Sequence, residues 1–319
     1  MKDFFEAPKE LRKGEGWNLL VEFLVFVLVF VVVSFGEMII LLPGQMLMLY
    51  GNDAYTEAAA AADLTKAMEI VMEVMSSNGY MLLMLFANFM MIVIVLLFCG
   101  LLQKRSMESV GFVRENAGRE YLLGAGCGFL MFSAAVVICV VTGTLRFEGI
   151  SASANAGLLV LFLAGYLVQG MAEEVLCRGY LLGSAARRYS LPVAILFNSV
   201  VFALLHSFNA GLSALALLNL TLFGIFASIC YLRRENLWFV GAMHSLWNFV
   251  QGNVYGVQVS GMSKTVSVLD SVSTAEGSLI NGGAFGLEGG LGVTFVYAAG
   301  IAVLIFLQAR DNKSRAVQP

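Results

Sequence analysis

The chain has 319 residues, of which 59% are hydrophobic and only 13% charged, against roughly 45–50% and about 25% in an average soluble domain. Water cannot be its main solvent, and one membrane-embedded unit is the simplest reading of apolar stretches that recur from Leu19 to Leu307. A net charge of −3 with no basic stripe speaks against nucleic-acid binding, and five cysteines without a Cys-x-x-Cys pair speak against a disulfide framework or a thiolate metal site.

About 20 apolar residues are needed to cross the hydrocarbon core as a helix. Eight segments qualify, near 19–42, 79–102, 120–142, 156–184, 191–208, 211–231, 236–252 and 291–309, the fifth and seventh being short. The expected fold is therefore all-α, a polytopic transmembrane helix bundle. The first apolar run is longer than a signal core of roughly 7–15 residues and reads as an uncleaved helix. Between the first two spans, 57–75 is helical, with Leu64, Met68, Val71 and Met75 on one face and Lys66, Glu69 and Glu73 on the other. It lies on the membrane surface or forms a solvated loop helix. The segment 252–290 is rich in Gly and Ser and is either a gate that folds back or a linker.

Basic residues orient the spans, because cytoplasmic loops hold an excess of Lys and Arg. One side collects Lys2, Lys9, Arg12, Lys13, Lys104, Arg105, Arg114, Arg119, Arg187, Arg188, Arg233, Arg234, Arg310, Lys313 and Arg315; the other holds Lys66, Arg146 and Lys264. Eight spans with both termini in the cytoplasm fit this alternation.

Ionisable side chains inside a span cost a few kcal/mol each on insertion scales and face a protein interior or a wet cavity. They concentrate in spans four to seven. Glu22 and Glu37 of the first span lie near its expected ends, within reach of the interfaces, and take a structural reading. In the fourth span Glu174 and Arg178 stand at i and i+4 with the acid first, so Arg178 neutralises Glu174. Adjacent helical residues point about 100° apart, which leaves Glu173 free; an apolar site makes a carboxylate a better proton acceptor. On the fifth span His206 follows Phe202 at i+4. If the hairpin turns near Tyr189 and Ser190, Glu173 and His206 reach the same depth and form a reactive pair. His244 and Asn248 share one face of the seventh span, a donor pair suited to an oxyanion. One depth does not close: at about 1.5 Å per residue, Glu173 and His206 lie about 25 Å in from the cytoplasmic turns and His244 about 14 Å. Either the fourth helix runs on into the cytoplasm, or the loops are misplaced.

At Glu-Glu-x-x-x-Arg (173–178), Phe-x-x-x-His (202–206) and His-x-x-x-Asn (244–248), in this order on successive spans, the sequence resembles the CAAX-protease and bacteriocin-processing family of intramembrane proteases, the type II CAAX prenyl endopeptidases. The resemblance covers about 155–252. It divides the chain into an N-terminal part (1–154), a catalytic core (155–252) and an outer segment with the last helix and tail (253–319). The stretch 282–290 looks like what bacterial members place before their last helix. The resemblance implies a hydrolase in which Glu173 and His206 activate water, His244 and Asn248 hold the oxyanion, and Glu174, Arg178 and Phe202 support them. It implies membrane lipids and a peptide or membrane-protein substrate, lipidated or bacteriocin-like, as partners, with no nucleic acid, and the plasma membrane of a bacterium as location. No cofactor is expected. Zinc held by Glu173, His206 and His244 is the mechanistic alternative, although His-Glu-x-x-His is absent. An aspartyl dyad has no place, since Asp3, Asp53, Asp63, Asp270 and Asp311 all fall outside the spans, and there is no Gly-x-Ser-x-Gly. A different class of reading is non-catalytic: an immunity or scaffold protein of this fold, or a proton-coupled transporter, which should show an internal repeat and does not.

Overall fold

The computed structural model describes residues 16–275 and 277–316. Lys2, Asp3, Lys9, Arg12 and Lys13, and the side chains of Lys313 and Arg315, lie outside the described residues.

α1 (Leu19–Tyr50) starts at Asn18, whose side chain accepts from the Val21 amide, and runs through Pro43 about two turns beyond its expected end. The expected outer helix is two, α2 (Asp53–Ala60) and α3 (Leu64–Met75), each begun by a capping side chain, Asn52 and Asp63. α3 buries Ile70 and exposes Leu64, Met68 and Met75. α4 (Asn78–Ala87) and α5 (Phe89–Leu97), with a π-helical end at Phe98–Leu102, make one apolar rod. The short α6 (Met107–Val110) leads to α7 (Ala117–Val141) and β1 (Leu145–Ile150). α8 (Ala156–Glu174) continues as a π-helix over Val175–Leu182 and ends in α9 (Gly183–Ala185). α10 (Leu191–Leu205), α11 (Ala214–Arg234) and α12 (Leu237–Phe249) follow, then β2 (Leu269–Ser273) and α13 (Leu291–Ala316).

Six helices among the described residues are long and apolar enough to cross a membrane. The fifth and seventh segments are the short ones, 15 residues in α10 and 13 in α12, the latter prolonged by a π-helical stretch at Val250–Val254. The architecture is an all-α polytopic bundle.

Glycine sets how closely its central helices approach. In lipid, helices gain from close backbone contact rather than from leaving water, so small residues mark their interfaces. A Cβ on Gly124 or Gly128 of α7 would meet the backbone of Phe239 or Met243 of α12, and one on Gly170 of α8 would lie 2.6 Å from the Ser245 nitrogen. α12 is thus clamped between α7 and α8. That clamp brings His244 against Glu174.

The mismatch in depth bears on the end of the bundle where α12 begins. Leu237, the first residue of α12, donates its amide to Gly111, and Gly179 packs on the neighbouring Val110. α12 therefore begins level with Gly179, and the chain from Tyr180 to Arg188 runs past it, where Ser184 donates to Glu22 and Arg188 to the Gly16 carbonyl. The fourth helix does extend beyond the start of the seventh.

The segment after α12 is folded, not a linker. β2 pairs antiparallel with β1, with an irregularity between Phe147 and Gly149. Asn253 donates to the Val266 carbonyl, and Asn281 to the Thr144 carbonyl and to Ser273. No run of β-type alternation in a chain this apolar announced a two-stranded sheet.

Leucine at Gly128 or Gly170 should destabilise the protein by about 1–3 kcal/mol or more, since backbone cannot yield to the new side chain. Leucine at Gly126, whose Cβ would meet nothing within 4 Å, should be nearly neutral. Thermal midpoints in detergent compare the three.

Candidate active site

Glu173 of α8, His206 at the end of α10 and His244 of α12 line a cavity of about 280 Å³ inside the bundle. Behind them one buried carboxylate oxygen takes two donors. Glu174 Oε1 accepts from Arg178 Nη1 at 2.8 Å and from His244 Nδ1 at 2.9 Å. Glu174 and Arg178 are fully buried and His244 nearly so. The guanidinium also donates to the Gly224 carbonyl and lies between the rings of Phe202 (4.8 Å) and Phe223 (5.4 Å), so its charge meets oxygen and π-faces.

The backbone helps to make this possible. Glu174 is the last α-helical residue of α8, and Arg178 stands within the π-helix that follows. Arg105, buried from the loop after α5, donates to the carbonyls of Gly179 and Tyr180. The π-helical backbone thus keeps partners for its polar groups, as buried carbonyls require. Sequence reading placed Arg105 among exposed topological charges; its burial against α8 had no local signal.

Glu173 points to the cavity and is about one-fifth exposed. Its Oε1 accepts from Gln169 Nε2 at 2.5 Å, and its Oε2 has no hydrogen-bond partner among the described residues, while His244 Nε2 stands 3.8 Å away. Asn248 Nδ2 donates to Gln169 Oε1 at 2.9 Å. Gln169 therefore ties Glu173 to Asn248. Sequence reading passed over it, though its place one turn before Glu173 was a usable signal.

His206 terminates α10, with Nδ1 3.0 Å from the Phe202 carbonyl and its ring 5.0 Å from the Phe202 ring. A carbonyl can only accept, so Nδ1 carries the proton and Nε2 of the neutral ring is an acceptor. The same logic protonates His244 Nδ1 toward Glu174.

The structure forms two bonded sets, Glu174 with Arg178 and His244, and Glu173 with Asn248 through Gln169, which meet where His244 Nε2 stands 3.8 Å from Glu173 Oε2. His206 shares the cavity but makes no ion pair or hydrogen bond with Glu173 among the described residues. Glu173 and His206, expected as a reactive pair, line the same cavity without a direct bond. His244 and Asn248, expected as a donor pair, bond Glu174 through Nδ1 and Gln169 through Nδ2. No three His, Cys, Asp or Glu side chains among the described residues form a group that could hold a metal ion.

Two acids join the cavity from outside spans four to seven. Glu37, expected near a helix end, lies in the middle of the longer α1 and lines the cavity. Glu288, from the Gly-rich segment, is buried; its carboxylate accepts from Trp247 Nε1 and from the amide and hydroxyl of Ser260, closing the outer side of the cavity.

Residues 155–250 match the family model of the Rce1-like type II CAAX prenyl endopeptidases. That family is one of proteases. The apolar helices together with this match indicate an integral membrane protein that is similar, over that stretch, to CAAX intramembrane proteases. No curated protein and no solved structure matches the chain. The matched stretch carries Gln169, Glu173, Glu174, Arg178, Phe202, His206, His244 and Asn248, whereas Glu37 and Glu288 come from outside it.

Arg178→Ala should cost about 3–5 kcal/mol of stability, because it strands a buried carboxylate. Removing Arg146, whose 2.8 Å pair with Glu148 is exposed, should cost under about 1 kcal/mol. Denaturation in detergent measures both.

Proposed function

We propose that the protein is an intramembrane endopeptidase that hydrolyses a peptide bond with water activated by Glu173 and His206. The observation that carries this reading is Glu173, which lines the cavity with an unpartnered Oε2 3.8 Å from a histidine locked by a buried carboxylate. A water between Glu173 Oε2 and His206 Nε2 gives one proton to the carboxylate and directs the other to the imidazole acceptor. Its oxygen attacks the carbonyl carbon. The resulting oxyanion takes hydrogen bonds from His244 Nε2–H and from the second N–H of the Asn248 amide, the first being held by Gln169. As the C–N bond breaks, Glu173 returns its proton to the leaving amine.

Charge supports giving His244 both protons. Glu173, Glu174 and Arg178 sum to one negative charge, which an imidazolium cancels. When Glu173 takes a proton from water, the oxyanion replaces its charge, so the buried group stays neutral across the step. A low-dielectric site penalises any other course.

We place the protein in the plasma membrane of a bacterium with both termini cytoplasmic, on the distribution of Lys and Arg among its loops. Its substrate is a peptide or membrane-protein segment that enters the bundle.

Purified protein in detergent should cleave members of a fluorogenic peptide library. Glu173→Gln should lower kcat about 10²–10⁴-fold, and Asn248→Ala about 10²–10³-fold, with both variants folded. Full activity in Glu173→Gln, or none in the wild type while Glu173→Gln retains the cellular phenotype, would instead favour a non-catalytic scaffold or immunity role.

A further inference from the structure

α10 ends at His206, and the chain from there to α11 is irregular, with Ser207, Phe208 and Ala210 exposed and Phe208 wholly so. Among the described residues, one side-chain hydrogen bond ties this loop to a distant part of the chain: Asn209 Nδ2 donates to the Ser260 carbonyl at 2.9 Å. The Asn209 amide in turn donates to the His206 carbonyl at 3.0 Å. A shift of Asn209 is therefore passed on to the histidine.

Ser260 is held by an acid that the peptidase steps leave unused. Its amide and hydroxyl donate to Glu288 Oε2 at 2.8 and 2.7 Å, and Trp247 Nε1 donates to Oε1 at 3.2 Å. The Glu288 backbone carbonyl accepts from Asn219 Nδ2 at 2.7 Å, which fixes it to α11. Ser260 has φ of +47°, a left-handed backbone that a residue with a Cβ keeps only when its surroundings impose it. The next residue, Gly261, has no room for a side chain, since a Cβ there would lie 2.0 Å from the Ala210 oxygen. The outer segment thus presses on the His206 loop at Ala210 and holds it at Asn209. Trp247 precedes Asn248 and stands three residues after His244 on α12. Glu288 accordingly joins the helix of His244 and Asn248 to the loop of His206, and it comes from outside the stretch that matches the protease family.

We infer that Glu288 is a positioning residue: through Ser260 and Asn209 it sets where His206 stands relative to Glu173, His244 and Asn248. Glu173 and His206 share no bond, so a water between them is gripped only while the two walls of the cavity keep their spacing. Misplacement by about 1 Å can cost about 10²-fold in rate. This assignment rests on the peptidase reading above.

The test uses the full chain in detergent, with peptide cleavage and nitrogen NMR of the two histidines as readouts. Asn209→Ala cuts the link at the loop. Glu288→Gln cuts it at the hub, where an amide N–H would face one of the three donors. Each should lower kcat about 10–100-fold with KM within about threefold of wild type, and the double variant should fall no further than the worse single one. The His206 resonances should move in both, while the His244 Nδ1 proton keeps its low-field position. Asn281→Ala removes bonds of the same outer segment to the Thr144 carbonyl and Ser273 and should leave kcat and the His206 resonances unchanged. Full kcat in either link variant, losses that multiply, or His206 resonances that move equally in Asn281→Ala would overturn this inference alone. If Glu288→Gln does not fold, Asn209→Ala decides by the same kcat and resonance criteria. A folded wild type that cleaves no peptide would overturn the peptidase reading and this inference together.

Discussion

Glu174 sits at the centre of the molecule with one oxygen shared between Arg178 and His244. Ions removed from water lose several kcal/mol each, and only good geometry and further hydrogen bonds return it. The surroundings of this group answer most of that constraint, although Glu174 Oε2 and Arg178 Nε keep no hydrogen-bond partner among the described residues. Phe202 and Phe223 cover the guanidinium, and the Gly224 carbonyl takes one more of its protons. Glycines 124, 128 and 170 let α7, α12 and α8 touch through their backbones, so the imidazole reaches the carboxylate without a gap. The buried relay and the close helix packing depend on one another.

The consequence for chemistry is orientation. A histidine whose Nδ1 faces a carboxylate cannot turn, so Nε2 is aimed at the cavity and at Glu173. Gln169 does the same for Asn248 and Glu173 from the other side. Two adjacent carboxylates on one helix thereby acquire different surroundings: each keeps an Oε2 without a hydrogen-bond partner among the described residues, but Glu174 is fully buried with Arg178 and His244 on its Oε1, whereas Glu173 lines the cavity. This division follows from the roughly 100° between neighbouring helical side chains, which is why it was legible in the sequence.

Much else was legible for similar reasons. Length and apolarity foretold a bundle of helices, and i, i+4 spacing foretold the Glu174–Arg178 bond. What depended on tertiary approach was not. The bond from His244 to Glu174 joins residues 70 positions apart, and no periodicity encodes it. Glu37 was misplaced because α1 runs through Pro43, where an apolar window seemed to close. The Gly-rich segment looked unstructured because its order comes from side chains such as Asn253, Asn281 and Glu288 bonding backbone and side-chain groups elsewhere, not from a repeating pattern. The cavity accordingly draws on α1, α4 and the outer segment as well as the stretch that matches the protease family.

With only two histidines in the chain, nitrogen NMR of histidine-labelled protein tests the buried relay most directly, a His206→Gln variant assigning the two rings. The account predicts that His244 Nδ1 carries a proton at neutral pH, with the low-field resonance of a bond to a carboxylate, and that the resonance moves upfield in Glu174→Gln. A His244 ring with a bare Nδ1, or one whose Nδ1 proton is indifferent to Glu174→Gln, would contradict it.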